Sequence, residues 1–93
     1  MKYIKKPIPV DAWQIDMLEL IELKYAGNMP QWVGQAYRDR HINTDFHKNE
    51  LNIFTLEGKM TASEGDYLIK GPKGEYWFNK REIFEEMYEA VDE

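Results

Sequence analysis

The segment EGDYLIKGPKGEYW, residues 64–77, decides how this chain is read. A turn pair, Glu64-Gly65, precedes a short apolar run. Gly71-Pro72-Lys73-Gly74 follows, and then an aromatic run opens. A phosphate-binding loop requires a longer glycine loop that ends in Gly-Lys-Ser/Thr and leads straight into a helix. Here the loop joins two strand-like runs, and its proline removes a backbone donor that a phosphate cradle would use. The dinucleotide fingerprint lacks its third glycine. The residues therefore predict a hairpin bend, with proline setting one turn angle, glycines supplying positive φ and Lys73 at the tip.

Working outward, the rest of 51–79 has the same rhythm. LNIFTL places Leu51, Ile53 and Thr55 on one face and Asn52, Phe54 and Leu56 on the other, the period of a strand. Glu57-Gly58 reads as the two-residue turn of a hairpin. KMTAS returns with Met60 and Ala62 on one face, Glu64-Gly65 turns again, and YLIK and EYWFN complete a meander over 51–79. Residues 80–86 read as a short helix, and 87–91 as a candidate last strand.

Towards the N-terminus, residues 3–15 read as a strand in which Ile8, Val10 and Ala12 alternate with Pro9, Asp11 and Trp13. Pro7 and Pro9 cannot donate to a ladder, which places this strand at a sheet edge or turns those positions away from a partner. Asp16 with Glu19 three residues later forms a capping box for a helix over 17–26, with Leu18, Ile21 and Tyr25 as its stripe beside Leu20 and Gly27-Asn28 at its end. Pro30 suits the first position of a second helix, 30–40, whose stripe is Trp32, Val33, Ala36 and Tyr37. Gly34 weakens that helix, and Arg38 and Arg40 suit the negative end of its dipole. Residues 41–50, HINTDFHKNE, are polar and without period, and are expected to be a loop. The expected architecture is α+β: a small antiparallel sheet of four to six strands, mostly a meander and open to barrel-like closure. Two helices follow the first strand and a helical turn lies near the C-terminus.

Length and composition bound the function. Ninety-three residues make one domain, 1–93, with one modest core. The net charge of −5 disfavours nucleic-acid binding. Much of the acid lies in Glu82, Glu85, Glu86, Glu89, Asp92 and Glu93, and the remainder is nearly neutral. There is no cysteine, which excludes disulfides and thiolate chemistry. No long apolar run predicts a membrane span, and the start MKYIKKPIPV lacks a signal-peptide core, so a cytoplasmic location is expected.

Catalytic constellations are sparse. His41 and His47, six apart with Asp45 and Glu50 nearby, match no standard metal spacing, so no metal and no cofactor are expected. Ser63 is the only serine and sits outside any nucleophile elbow. Glu85-Glu86 and Asp92-Glu93 read as solvated surface, because a glycosidase needs two acids facing each other across a cleft. The richest set is aromatic. Tyr76, Trp77 and Phe78 are consecutive and must point to both faces of a strand. With Trp32, Tyr37, Arg38, Lys73 and Arg81 they form a candidate platform for a base or a partner. Either helix 30–40 covers these rings, or it contributes Trp32, Tyr37 and Arg38 to the same pocket.

KYIKKPIPVDAWQI and LNIFTLEGKMTASEGDYLIKGPKGEYWFNKREIFEEMYEAV together resemble a family of small uncharacterised proteins of phages and prophages of Gram-positive bacteria. Those proteins open on a Tyr-Arg-Lys-Lys-Pro-Val-like strand. They carry Thr-Leu-Glu-Gly, then Gly-Asp-Tyr-Ile-Ile-Lys-Gly-Val-x-Gly-Glu, then Tyr-Pro-Cys-Lys-Pro-Asp-Ile-Phe-Glu-x-Thr-Tyr. The likeness covers somewhat over half of the chain and fails over residues 16–50. This chain also departs at YWFNKREIF, where the proline and cysteine of the pattern are missing. The resemblance implies a phage accessory role and brings no catalytic residue.

A binding function follows as the leading expectation, and catalysis is not expected. One form is an inhibitor that occupies a host defence protein in the host cytoplasm, such as a nuclease or CRISPR effector. Its acids Glu82, Glu85, Glu86 and Glu89 would then mimic a phosphate backbone. A second form is a sponge for a nucleotide immune signal, sandwiched by Trp32, Tyr37, Trp77 and Arg38 or Arg81, with a homodimer as one way to build the pocket. A small hydrolase using His41 or His47 and a phage morphogenesis module are the remaining alternatives.

Overall fold

The computed structural model describes residues 1–3, 7–21 and 29–91. Among them the elements run β1 (Asp11–Gln14), α1 (Met17–Ile21), α2 (Gln31–Arg38), β2 (Ile42–Asp45), β3 (Glu50–Thr55), β4 (Gly58–Ser63), β5 (Tyr67–Lys70), β6 (Tyr76–Asn79) and α3 (Arg81–Met87). The fold is α+β, as expected. All strand pairs are antiparallel, but the strands form two sheets, ordered β1-β5-β6 and β2-β3-β4, and not one meander or a closed barrel.

The meander breaks at Glu64-Gly65-Asp66. This turn is tied to the end of β1 and does not fold β5 back on β4. The Ile15 N–H donates to the Asp66 carbonyl at 2.8 Å and the Gly65 N–H to the Ile15 carbonyl at 3.0 Å. Gln14 Nε2 donates to the Gly65 carbonyl at 3.1 Å. These long-range bonds satisfy backbone groups that a β4–β5 hairpin would have used, so β5 pairs with β1 and β6 instead. Chain position alone carries no hint of the exchange.

The same turn helps to start α1. Glu64 Oε1 accepts the Met17 N–H at 2.9 Å, while Asp16 Oδ1 accepts from Leu18 N at 3.0 Å and Glu19 N at 3.3 Å. Free donors of the first turn are thereby capped by two acids from distant parts of the chain. Asp16 caps as its sequence context predicts. Glu19, expected to bond back to close a capping box, instead accepts the Trp13 indole N–H at 3.4 Å. The stripe is also rephased: Met17 and Leu20 are buried, whereas Leu18 and Ile21 are 68% and 59% exposed. Residues 22–28, including Tyr25 and the expected Gly27-Asn28 end, lie outside the described residues.

Other boundaries shift for local reasons. The expected strand 3–15 is a strand only over 11–14, because Pro7 and Pro9 offer no ladder donor. It is an edge strand, one of the two placements that the sequence left open, with both prolines lying before it. Its buried face carries Trp13 and continues to Ile15, the opposite phase to the one read from Ile8 and Val10. Pro30 is the N-cap of α2 and not its first residue. Residues 41–50, expected as a loop, contain β2 and a four-residue turn at 46–49. Asp45 Oδ1 receives the His47 and Lys48 N–H groups, at 3.1 and 3.2 Å, and Asn49 takes φ 56°. The overlooked signal was an Asp and an Asn bracketing a turn, because β2 buries Ile42 and little else. At the next hairpin, Thr55 pairs with Gly58, so the turn residues are Leu56-Glu57, one earlier than predicted. No strand forms over 87–91: Met87 ends α3 and Tyr88–Val91 follow without ladder pairing.

The main core lies between the inner faces of the two sheets and the two N-terminal helices. It contains Trp13, Ile15, Met17, Leu20, Val33, Ala36, Ile42, Leu51, Ile53, Ala62 and Leu68. On the outer face of the β2-β3-β4 sheet, Asn52 donates through Nδ2 to Asn43 Oδ1 at 3.3 Å and accepts through Oδ1 from Thr61 Oγ1 at 2.8 Å. That ladder satisfies the one buried polar side chain of the described residues.

The end of α2 yields a first prediction. The His41 N–H donates to the Ala36 carbonyl at 2.9 Å and the Arg40 N–H to the Tyr37 carbonyl at 3.2 Å, a Schellman closure with Arg40 at φ 64°. A left-handed conformation costs a side-chain-bearing residue roughly 1–2 kcal/mol, partly offset by the extra unfolded-state entropy of a glycine. Arg40→Gly is therefore expected to stabilise the fold by about 0.5–1 kcal/mol, read as a higher urea midpoint at unchanged m-value.

Candidate functional site

Strand alternation splits the β1-β5-β6 sheet into two functional faces. Trp13, Leu68 and Phe78 form one cross-strand row facing the main core; Ala12, Ile69 and Trp77 form the next row, facing away. Ile69 is nonetheless 0% exposed and lies outside the main core cluster. A second apolar layer must cover it, and α3 with its flanking segments supplies that layer.

The layer is held by stacked rings. Tyr67, outward on β5, stacks on Phe84 with centroids 3.9 Å apart and planes at 16°. Phe84 stacks in turn on Tyr88, 4.8 Å away at 21°. Phe84 on α3 and Tyr88, its extended C-cap, are joined by the Tyr88 N–H donating to the Phe84 carbonyl at 2.9 Å, which sets the two rings side by side at the helix end. No residue of α3 is buried, and a helix of seven residues has little stability without packing. The Tyr67 contact is thus the main anchor of α3, helped by the Lys80–Asp66 ion pair at 3.6 Å.

Two recesses open beside these rings. One, of about 540 Å³, is lined by Ile8–Ala12, Tyr67, Phe84, Glu85 and 88–91. The other, of about 650 Å³, is lined by Pro7–Val10, Pro72, Trp77, 87–89 and Val91. Tyr88 with Ile8, Pro9 and Val10 belongs to both. Around them Ile8, Met87 and Val91 are 53%, 64% and 75% exposed. Glu82, Glu85, Glu86 and Glu89 are all exposed on or just beyond α3. Arg81 approaches Glu82 at 4.0 Å and Glu85 at 3.9 Å, both in solvent, so it offsets that acidity only weakly.

The binding residues named from sequence are distributed over several surfaces. Trp32 stacks on Tyr76 with centroids 6.4 Å apart, and His41 stacks on the same ring at 5.3 Å. Helix α2 thus covers Tyr76, and Tyr37 is half-buried against the core. Trp77 points from the opposite face of β6, so Tyr76 and Trp77 serve different surfaces. Arg38 is exposed and donates to Gln35 Oε1 at 3.4 Å. Lys73 is exposed at the hairpin tip, where its N–H donates to Glu75 Oε1 at 3.0 Å. Arg81 alone of the named cations lies on α3, beside the acids. Sequence reasoning undervalued Tyr67, Phe84 and Tyr88 as a unit. The i, i+4 spacing of the latter two was a legible signal; their meeting with Tyr67 was not.

Among the described residues no group of three or more histidine, aspartate or glutamate side chains is placed to hold a metal ion. No helix there is long and apolar enough to cross a membrane. No protein-family model, curated protein or solved structure matches the chain.

Proposed function

We propose that this protein acts by stoichiometric binding, gripping an apolar segment of a partner protein in the recesses between Trp77 and the Tyr67–Phe84–Tyr88 stack. The observation that carries this reading is the ring of exposed apolar side chains, Ile8, Met87 and Val91, around those recesses on an acidic protein. An apolar patch rimmed by charge on a small domain marks an interaction surface. Glu82, Glu85, Glu86 and Glu89 set the partner's sign: a basic surface is steered in, faster at low salt. The phage-like sequence pattern makes a host defence protein with a basic nucleic-acid groove, a nuclease or CRISPR effector, the partner class proposed.

Catalysis is the less favoured reading. The His41 ring is engaged with Tyr76, and His47 is tied to Asp45 through its backbone N–H and not its ring. The recess that Trp32 and Arg38 line together on α2 favours a second reading, the nucleotide sponge, which a thermal-shift screen with cyclic nucleotides would test.

The docking reading is tested with Met87→Asp and Val91→Asp. Both sites are exposed, so stability should change by no more than about 0.5 kcal/mol, whereas an acid placed in the contact should weaken binding at least about tenfold. Affinity for a candidate effector would be measured by calorimetry at two salt concentrations. Unchanged affinity in both variants would exclude this face as the contact.

A further inference from the structure

We infer that residues 81–91, α3 and the segment after it, form a clasp that opens at Lys80 while the rest of the fold stays intact, and that its closure assembles the docking recesses. This rests on the docking reading above and names how that site is gated. Three observations support it. First, α3 is weak by itself. Its N-cap, Lys80, makes no side-chain capping bond. Its last turn carries Glu85 and Glu86 and no basic residue, against the sign of the helix dipole.

Second, its attachment is shallow while the layer beneath it is not. No residue of α3 is buried. Phe84 and Tyr88 are half-buried, and Phe84 reaches the sheet through the Tyr67 ring. The Lys80–Asp66 ion pair lies at the hinge and not at the far end, so it can persist when the clasp opens. A segment with so few buried contacts opens at lower free energy than the core. Ile69, on the outer face of β5, is nonetheless fully buried.

Third, each recess has two walls of different origin. Ile8, Pro9 and Val10 supply one, and side chains between residues 84 and 91 supply the other. Opening removes the second wall from both recesses and bares the row Ala12, Ile69 and Trp77. A partner seated in the recesses therefore binds the closed form, and its apparent affinity falls with the fraction closed.

The chain has no cysteine, so a single introduced thiol reports this opening. Ile69→Cys places it under the clasp, and Val33→Cys places it in the main core, where Val33 is fully buried. Both would be labelled with excess maleimide at increasing urea, after circular dichroism confirms the fold. Ile69→Cys is expected to react at least about a hundredfold faster than Val33→Cys, as local opening precedes global unfolding. Its rate should barely depend on urea, because little surface is exposed. Adding Phe84→Ala, which removes the stack on Tyr67, should speed Ile69→Cys a further tenfold or so. Equal rates with equal urea dependence overturn the inference, since the clasp would then open only with the whole protein. Fast labelling that Phe84→Ala leaves unchanged also overturns it, because something other than the clasp would cover Ile69. Should Ile69→Cys not fold, amide exchange in the unaltered protein decides. The Phe84 and Tyr88 N–H groups, bonded to the Lys80 and Phe84 carbonyls, should exchange at one common rate independent of urea; exchange only by global unfolding refutes the clasp. No partner enters either measurement. Failure here leaves the docking reading to the Met87→Asp and Val91→Asp calorimetry, and failure there leaves the clasp standing.

Discussion

Leu68→Ala is expected to destabilise the protein by about 3 kcal/mol, within the 2–5 kcal/mol range of buried leucine truncations. Leu68 is fully buried at the centre of β5, directly opposite Trp13 on β1 and Phe78 on β6. Removing its side chain opens a cavity at the one position where all three strands of the sheet meet the main core. For a domain of this size such a loss lowers the melting temperature by roughly 12–24 °C, from about 4–8 °C per kcal/mol. Ile69→Ala is the informative companion. Its side chain points the other way, into the layer under α3, so a comparable loss there would establish that the outer layer is folded structure. A change of only a few tenths of a kcal/mol for Ile69→Ala would mean that α3 does not seal the sheet.

The second large effect is expected at Gly71. It is buried, and a Cβ placed on it would strike the Glu75 carboxylate and come within 2.8 Å of the Trp77 ring. The carboxylate is the end of a flexible, exposed side chain and can swing aside. The indole is half-buried and lines the recess, so making room for the Cβ displaces the ring towards the groove. Gly71→Ala is therefore expected to cost about 1–3 kcal/mol through overpacking and to shift the Trp77 indole N–H resonance. Gly74 provides the contrast. It has open space around it and φ 83°, so Gly74→Ala should cost about 1–2 kcal/mol through backbone strain alone. An unmoved indole resonance in Gly71→Ala would refute the close approach. The Gly-Pro-Lys-Gly segment thus has a structural role on both counts: its first glycine admits Trp77 and its last completes the bend, with the Gly74 N–H donating to the Gly71 carbonyl at 3.0 Å.

Much of the architecture was legible because it is local. Alternation in Leu51–Thr55, the glycine-proline bend, the Asp16 cap and the proline that starts α2 are each decided within a few residues. Misreadings arose where local pattern was weak. In β2, Ile42 is the one large apolar side chain buried, so a period cannot be seen. At Leu18 and Ile21 two apolar residues face solvent, so the apolar stripe pointed to the wrong side of α1. Alternation separated Trp77 from Tyr76 and Phe78, but which of the two faces meets the core depends on what packs against the sheet, and that is not local.

Local chemistry set β3 to β6 and the bends between them to within a residue or two, the absence of cysteine chemistry and the acidic C-terminal segment, since these depend on residue type and spacing over short stretches; it missed β2 and placed a strand over 87–91 that does not form. Which sheet each strand joins, and the meeting of Tyr67 with Phe84 and Tyr88, depended on contacts between distant segments. The β1–α1 junction captures the turn at 64–66 with backbone hydrogen bonds, and a hydrogen bond reads proximity in space, not separation along the chain. The groove exists because that capture brings β1 to β5 and leaves the outer face of their sheet for α3 to cover.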